Sequence, residues 1–259
     1  MVTLMEKKPV LHAVVWILLY LALVNIGEAL SQTAEAAPLV TGALLLLFSA
    51  AMVLYLKKNR NPDMPGSKRV TAGDLRKALY YLPLLLLALA QFAQGLEPSL
   101  TFSRVFAVCL LMLGTGFVEE LLFRGFLLQG IQSKSGVRRA ILVSGVTFGI
   151  GHIVNLLRGY GLAELAGQIA AAVAMGIVLA LLAAITKNLV PGILFHILFN
   201  ISGTLSRQDS SLQPYVLILI FAVAVPYAIY LYRFVPGMKK ASGTQPGTAA
   251  LASDAGIAR

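Results

Sequence analysis

Apolar residues in this chain gather in long runs separated by short polar stretches. Eight such runs occupy roughly 10–30, 38–56, 78–95, 104–130, 139–157, 162–186, 189–205 and 212–232. Apolar runs of about 17–25 residues are long enough to cross a hydrocarbon core of roughly 30 Å as helices. A helix also satisfies its own backbone in lipid, where water is absent. The pattern therefore predicts an all-α, polytopic transmembrane helix bundle of about eight spans. Residues 1–236 read as one membrane domain, and 237–259 as a Gly/Ala/Ser/Thr-rich cytoplasmic tail expected to be disordered, since such a composition cannot bury a core.

The polar stretches give the spans an orientation. Lys and Arg accumulate in cytoplasmic loops. With the N-terminus inside, that side receives sixteen of them, from Lys7 and Lys8 through the loop Lys57–Lys77 to Lys239 and Lys240. The outer side receives only Arg104, Arg158 and Arg207. Both termini are thus expected in the cytoplasm, and the natural location is a bacterial plasma membrane. Lys7-Lys8 before an apolar run resembles a secretory signal, with Ala34-Glu35-Ala36 as a small-x-small site. The length of the run and the polar stretch before that site favour an uncleaved first span.

Composition supports this class. Hydrophobic residues make up 58% and charged residues 12% of the chain, which excludes an ordinary soluble domain. The net charge of +10 comes from residues flanking spans, so it signals topology and attraction to anionic headgroups; no nucleic-acid partner is expected. The single cysteine, Cys109, excludes an intrachain disulfide and a Cys-based metal site.

Individual spans differ in character. The first two carry no charge away from their ends and are expected to pack and to meet lipid. His12, near the cytoplasmic end of the first, shows no polar partner in the sequence and is given no role. Pro83 falls early in the third span, where a first-turn proline is tolerated. The sixth span is rich in Ala and Gly, and Gly145 and Gly149 in the fifth form a small-x3-small pair; both features predict close helix packing at the centre of the bundle.

The chemistry is concentrated in the stretch GFVEELLFRGFLLQG, residues 116–130. Ionised side chains in mid-membrane cost several kcal/mol each by most scales, and persist mainly where they pair, conduct or catalyse. Glu120 and Arg124 are four apart, on one helical face and in the favourable order of acid before base. Glu119 points about 100° away. Glu120 is thus expected as the partner of Arg124, and Glu119 as a carboxylate left free to face a cavity and serve as a catalytic base. A plain Glu–Arg staple between helices would need only one acid.

Two further polar features follow. The fifth span carries TFGIGHIVN, with Phe148 and His152 four apart; the seventh carries PGILFHILFN, with His196 and Asn200 four apart. Alone, His152 reads more readily as a hydrogen-bonded packing residue than as a catalyst, and the His196/Asn200 pair reads equally as interhelical hydrogen bonding. His152 also lies nearer the outer end of its span than the acids do in theirs, a mismatch in depth.

Together, Glu119-Glu120-x-x-x-Arg124, Phe148-x-x-x-His152 and His196-x-x-x-Asn200 resemble the CAAX prenyl protease and bacteriocin-processing family of intramembrane peptidases. The resemblance covers about residues 104–205 and includes the type II CAAX prenyl endopeptidase. It implies peptide-bond hydrolysis in the membrane, with Glu119, Glu120, Arg124, His152, His196 and Asn200 as the catalytic set. The implied substrates are peptides or proteins, lipidated CAAX-like termini, pheromones or bacteriocins among them, and membrane lipids surround the protein. In this scheme Glu119 and His152 activate a water, while His196 and Asn200 donate hydrogen bonds to the oxyanion. Glu119, His152 and His196 would also suit a divalent metal such as zinc. The His-Glu-x-x-His arrangement is absent, however, and the reading favoured is that no metal is required. Two alternatives stand beside the peptidase: a non-proteolytic scaffold or bacteriocin-immunity member of the same family, and a proton-coupled transporter. The transporter predicts broken helices and an inverted repeat, neither of which is visible in the sequence.

Overall fold

The computed structural model describes residues 2–31, 36–59, 72–207 and 210–235. The tail 237–259, most of the basic loop and most of the small-x-small site lie outside the described residues. A short helix, Val2–Lys7, leads into α1 (Pro9–Leu30), and α2 (Ala37–Asn59) returns antiparallel to it. After a surface helix, Ala72–Ala78, comes α3 (Leu82–Ala90), flanked by single 3₁₀ turns. The long fourth segment begins as α4 (Phe102–Glu120), passes through a π-helical stretch Leu121–Leu127, and ends as α5 (Leu128–Ser135). Then follow α6 (Val137–Gly151) with a 3₁₀ extension His152–Arg158, α7 (Leu162–Thr186), α8 (Val190–Leu205) and α9 (Gln213–Tyr232).

The fold is an all-α membrane bundle, and the chain is an integral membrane protein. Among the described residues six segments are long and apolar enough to cross a membrane, and α8 is a shorter apolar helix. Among the described residues the only β pairing is one isolated bridge, Leu96 to Ser206. Large apolar side chains such as Leu18, Leu47 and Leu86 are exposed, as lipid-facing positions require.

The local sequence explains the boundaries. Proline stands in the first turn of α1, α3, α8 and α9, where its missing N–H costs nothing. Thr101 caps α4 by accepting the Arg104 N–H at 3.2 Å. The third apolar run stays helical but is irregular. Its α-helix is nine residues long and tightens at Gln91 into a 3₁₀ turn, and the Gln91 amide donates to Phe199 O at 2.7 Å and to Ser202 Oγ at 2.9 Å, tying this segment to α8.

α7 is the most buried span, as its small residues predict. At Gly145 and Gly149, α6 lies so close to it that a Cβ would come within 2.7 Å of the backbone nitrogens of Ile177 and Val173, respectively. These contacts place α6 directly against α7, the element that supplies the carbonyl for Arg124.

His12 corrects the sequence reading. It is buried, accepts the Trp16 indole N–H at 3.0 Å and meets Tyr55 Oη at 2.9 Å, within an aromatic cluster that includes Phe126. Its role is to join α1 to α2 and to brace the π-helical stretch.

A candidate hydrolytic site between five helices

The π-helical stretch begins directly after Glu120 and contains Arg124. Its wider spacing shows at Phe123 O, which accepts the N–H of Leu128 five residues on and also the Ser144 hydroxyl at 2.8 Å. Such stretches are less regular than an α-helix and are frequent at functional sites. Here the irregular turn leaves Arg124 fully buried and reaching sideways. One guanidinium nitrogen pairs with Glu120 Oε1 at 2.8 Å and another donates to Gly176 O of α7 at 3.1 Å. The guanidinium carbon also lies 4.4 Å from the centre of the Phe148 ring, on α6.

His196 enters from α8. Gly116 makes this possible: a Cβ there would lie 2.6 Å from the Ile197 side chain and 3.1 Å from the Ile197 nitrogen. With the two helices this close, the imidazole sits between both acids. Its Nδ1 is 3.0 Å from Glu120 Oε1, and its Nε2 is 3.4 Å from Glu119 Oε2. Glu120 is buried at 1% exposure, while Glu119 keeps 14% and lines a polar cavity of about 670 Å³. The two neighbouring acids therefore occupy different environments, one locked and one open.

His152 marks the point where α6 tightens into its 3₁₀ extension. Its Nδ1 lies 3.2 Å from Phe148 O. A carbonyl only accepts, so Nδ1 is the donor in this contact, and in the neutral imidazole Nε2 carries the lone pair. His152 lines the polar cavity together with Glu119, so the depth mismatch seen in the sequence does not separate them. Asn200, one turn beyond His196, lines the same cavity. Phe148, His152 and Asn200 also border a second, more apolar cavity of about 520 Å³ between α7, α8 and α9, which His196 joins. The structure thus brings Glu119, Glu120, Arg124 and His196 into direct contact, and gathers His152 and Asn200 around the cavity.

Three contributors have no motif to announce them. Tyr20 of α1 donates its hydroxyl to Glu119 Oε1 at 2.7 Å, so the first span does more than pack and meet lipid. Gln91 lines both cavities from the 3₁₀ turn that ends the third segment. Gly176 supplies the carbonyl that fixes Arg124. The only sequence signal for Tyr20 is a polar group in mid-span, a weak one when the tyrosines number nine.

Glu119, His152 and His196 do not fit a metal as placed. Both nitrogens of His196 face carboxylates, and one Glu119 oxygen accepts from Tyr20. Among the described residues, no group of three His, Cys, Asp or Glu side chains stands at ligand spacing.

A search of curated proteins finds no match to the chain. Over residues 101–202, the stretch that holds all seven motif residues, the chain matches the family described as Type II CAAX prenyl endopeptidase Rce1-like, which bears out the resemblance carried by the three motifs.

Proposed function

We propose that the protein is an intramembrane endopeptidase that hydrolyses peptide bonds of membrane-associated peptides, lipidated CAAX-like peptides among them, with a water activated by Glu119. The observation that carries this reading is the placement of Glu119. It is the accessible member of an otherwise buried charge cluster, and it shares a polar cavity with His152 and Asn200.

Glu119 and the Nε2 lone pair of His152 both present acceptors to that cavity, a combination suited to holding one water by its two hydrogens. Glu119 takes a proton from the water, and the hydroxide adds to the scissile carbonyl carbon. His196, facing two carboxylates, matches both best with a proton on each nitrogen. Two carboxylates, one guanidinium and one imidazolium then sum to zero charge in a low-dielectric interior. The Nε2–H is held by Glu119 only at 3.4 Å, long enough to leave it for the oxyanion, which Asn200 also serves. Donors of this kind are worth about 3–4 kcal/mol each in hydrolases. As the carbon–nitrogen bond breaks, Glu119 returns its proton to the leaving amine. Glu120 and Arg124 hold the imidazole and touch no reacting atom. No step is routed through a metal.

The test is hydrolysis of internally quenched peptides by purified protein in liposomes. The peptides end in Cys plus three residues, with and without a farnesyl group on the cysteine. Cleavage by wild type and its loss in Glu119→Gln support the proposal. A well-folded wild type with no Glu119-dependent cleavage of either set would favour the scaffold or immunity reading.

A further inference from the structure

We infer that Tyr20 is a positioning residue for the carboxylate that activates water, and that the first span is thereby part of the catalytic apparatus. The inference rests on the peptidase reading and extends it to an element outside the matched stretch 101–202.

Glu119 has three rotatable bonds and only two polar neighbours among its described contacts. His196 Nε2 lies at 3.4 Å from one oxygen, and the Tyr20 hydroxyl at 2.7 Å from the other. The first contact is loose and the second short, so the phenol sets the orientation of the carboxylate. Without it, no polar contact among the described residues opposes a pivot of Glu119 toward the imidazole. That closer pair would occupy both the base and the oxyanion donor at once.

The phenol is itself well fixed. Tyr20 is 7% exposed, and α1 packs along the π-helical stretch that starts one residue after Glu120. Its ring therefore stands on the element that braces the acids, and its hydroxyl opens onto the cavity wall beside Thr115 and Glu119. A tyrosine there only for packing would not need its oxygen.

Tyr20→Phe keeps the ring and deletes only the donor. A hydrogen bond to a charged group of this kind corresponds to roughly a 10- to 100-fold change in rate. The expected result is a loss of that size in kcat with KM essentially unchanged and a wild-type melting temperature. Replacing Tyr20 with para-aminophenylalanine, which restores an N–H donor, should recover most of the rate; a packing role would show neither the kcat loss nor the rescue. The carboxylate stretching band of Glu119, identified by its absence in Glu119→Gln, should shift in the infrared spectrum of Tyr20→Phe. If wild type cleaves with Glu119 dependence and Tyr20→Phe keeps the wild-type kcat, or raises only KM, the inference falls and the peptidase reading stands. If no variant or wild type cleaves, the peptidase reading falls. The infrared band then decides alone: a shift keeps Tyr20 as the anchor of Glu119, and an unchanged band removes it.

Discussion

Replacing Arg124 by methionine removes the guanidinium while keeping most of the stem, which isolates the charge from the packing. Arg124 is fully buried, so nothing from solvent replaces what is lost. The Glu120 carboxylate loses its ion pair at 2.8 Å and Gly176 O loses its donor at 3.1 Å. Removing one partner of a buried pair costs about 3–5 kcal/mol, because the other charge stays in a low dielectric. His196 still reaches Glu120 at 3.0 Å, which places the expected loss at the lower end, about 3 kcal/mol. At about 2–4 °C per kcal/mol for a chain of this size, the melting temperature should fall by roughly 6–12 °C. The assay is thermal unfolding followed by far-UV circular dichroism in detergent, run beside Arg124→Met combined with Glu120→Gln. Once both charges are gone no ion is stranded, so the double variant should recover much of the loss. A single variant that melts with wild type would refute the buried-pair argument. Strictly additive losses in the double variant would refute it as well.

Gly149→Ala and Gly151→Ala give opposite expectations from nearly the same place. A Cβ at Gly149 would meet the Val173 side chain at 2.3 Å and its backbone nitrogen at 2.7 Å, whereas Gly151 has open space around it. Overpacking of this kind costs about 1–3 kcal/mol, so only the Gly149 variant should melt early in the same assay. Chelation provides a separate check: peptide cleavage should survive EDTA and 1,10-phenanthroline at concentrations that strip zinc. Loss of cleavage with recovery on added zinc would show that the donors regroup around a metal.

Much of this arrangement was legible in the sequence because lipid imposes strict requirements. A charged residue in an apolar run has few innocent explanations, so Glu119, Glu120 and Arg124 stood out at once. Their partition, with Glu120 against Arg124 and Glu119 toward a cavity, followed from helical angles alone. The small residues of α7 and the Gly145/Gly149 pair likewise announced close packing. Hydropathy could not show that the third run tightens into a 3₁₀ turn at Gln91, because a leucine-rich segment reads the same for either kind of helix. Nor could it show the π-helical stretch, since Leu121–Leu127 is composed like its surroundings and the wider turn is set by tertiary contacts at Arg124 and Ser144. His12 and Tyr20 were missed for a different reason. Each is a lone polar group in an apolar helix, and its partner lies either one turn along, as Trp16 does for His12, or 99 residues away, as Glu119 does for Tyr20. Spacing reveals partners on one helix when both are considered together; it says nothing of partners on another.

In the proposed reaction Glu119 delivers a water directly to the scissile carbonyl. A single turnover in water enriched in oxygen-18, with enzyme in excess over a cleavable peptide, tests it by mass spectrometry of the new carboxyl terminus. The expected result is one heavy oxygen in the product of the first turnover with wild type, and no product with Glu119→Gln. A first-turnover product lacking the label, with the heavy oxygen found afterwards in Glu119, would instead make that carboxylate a nucleophile and contradict the account.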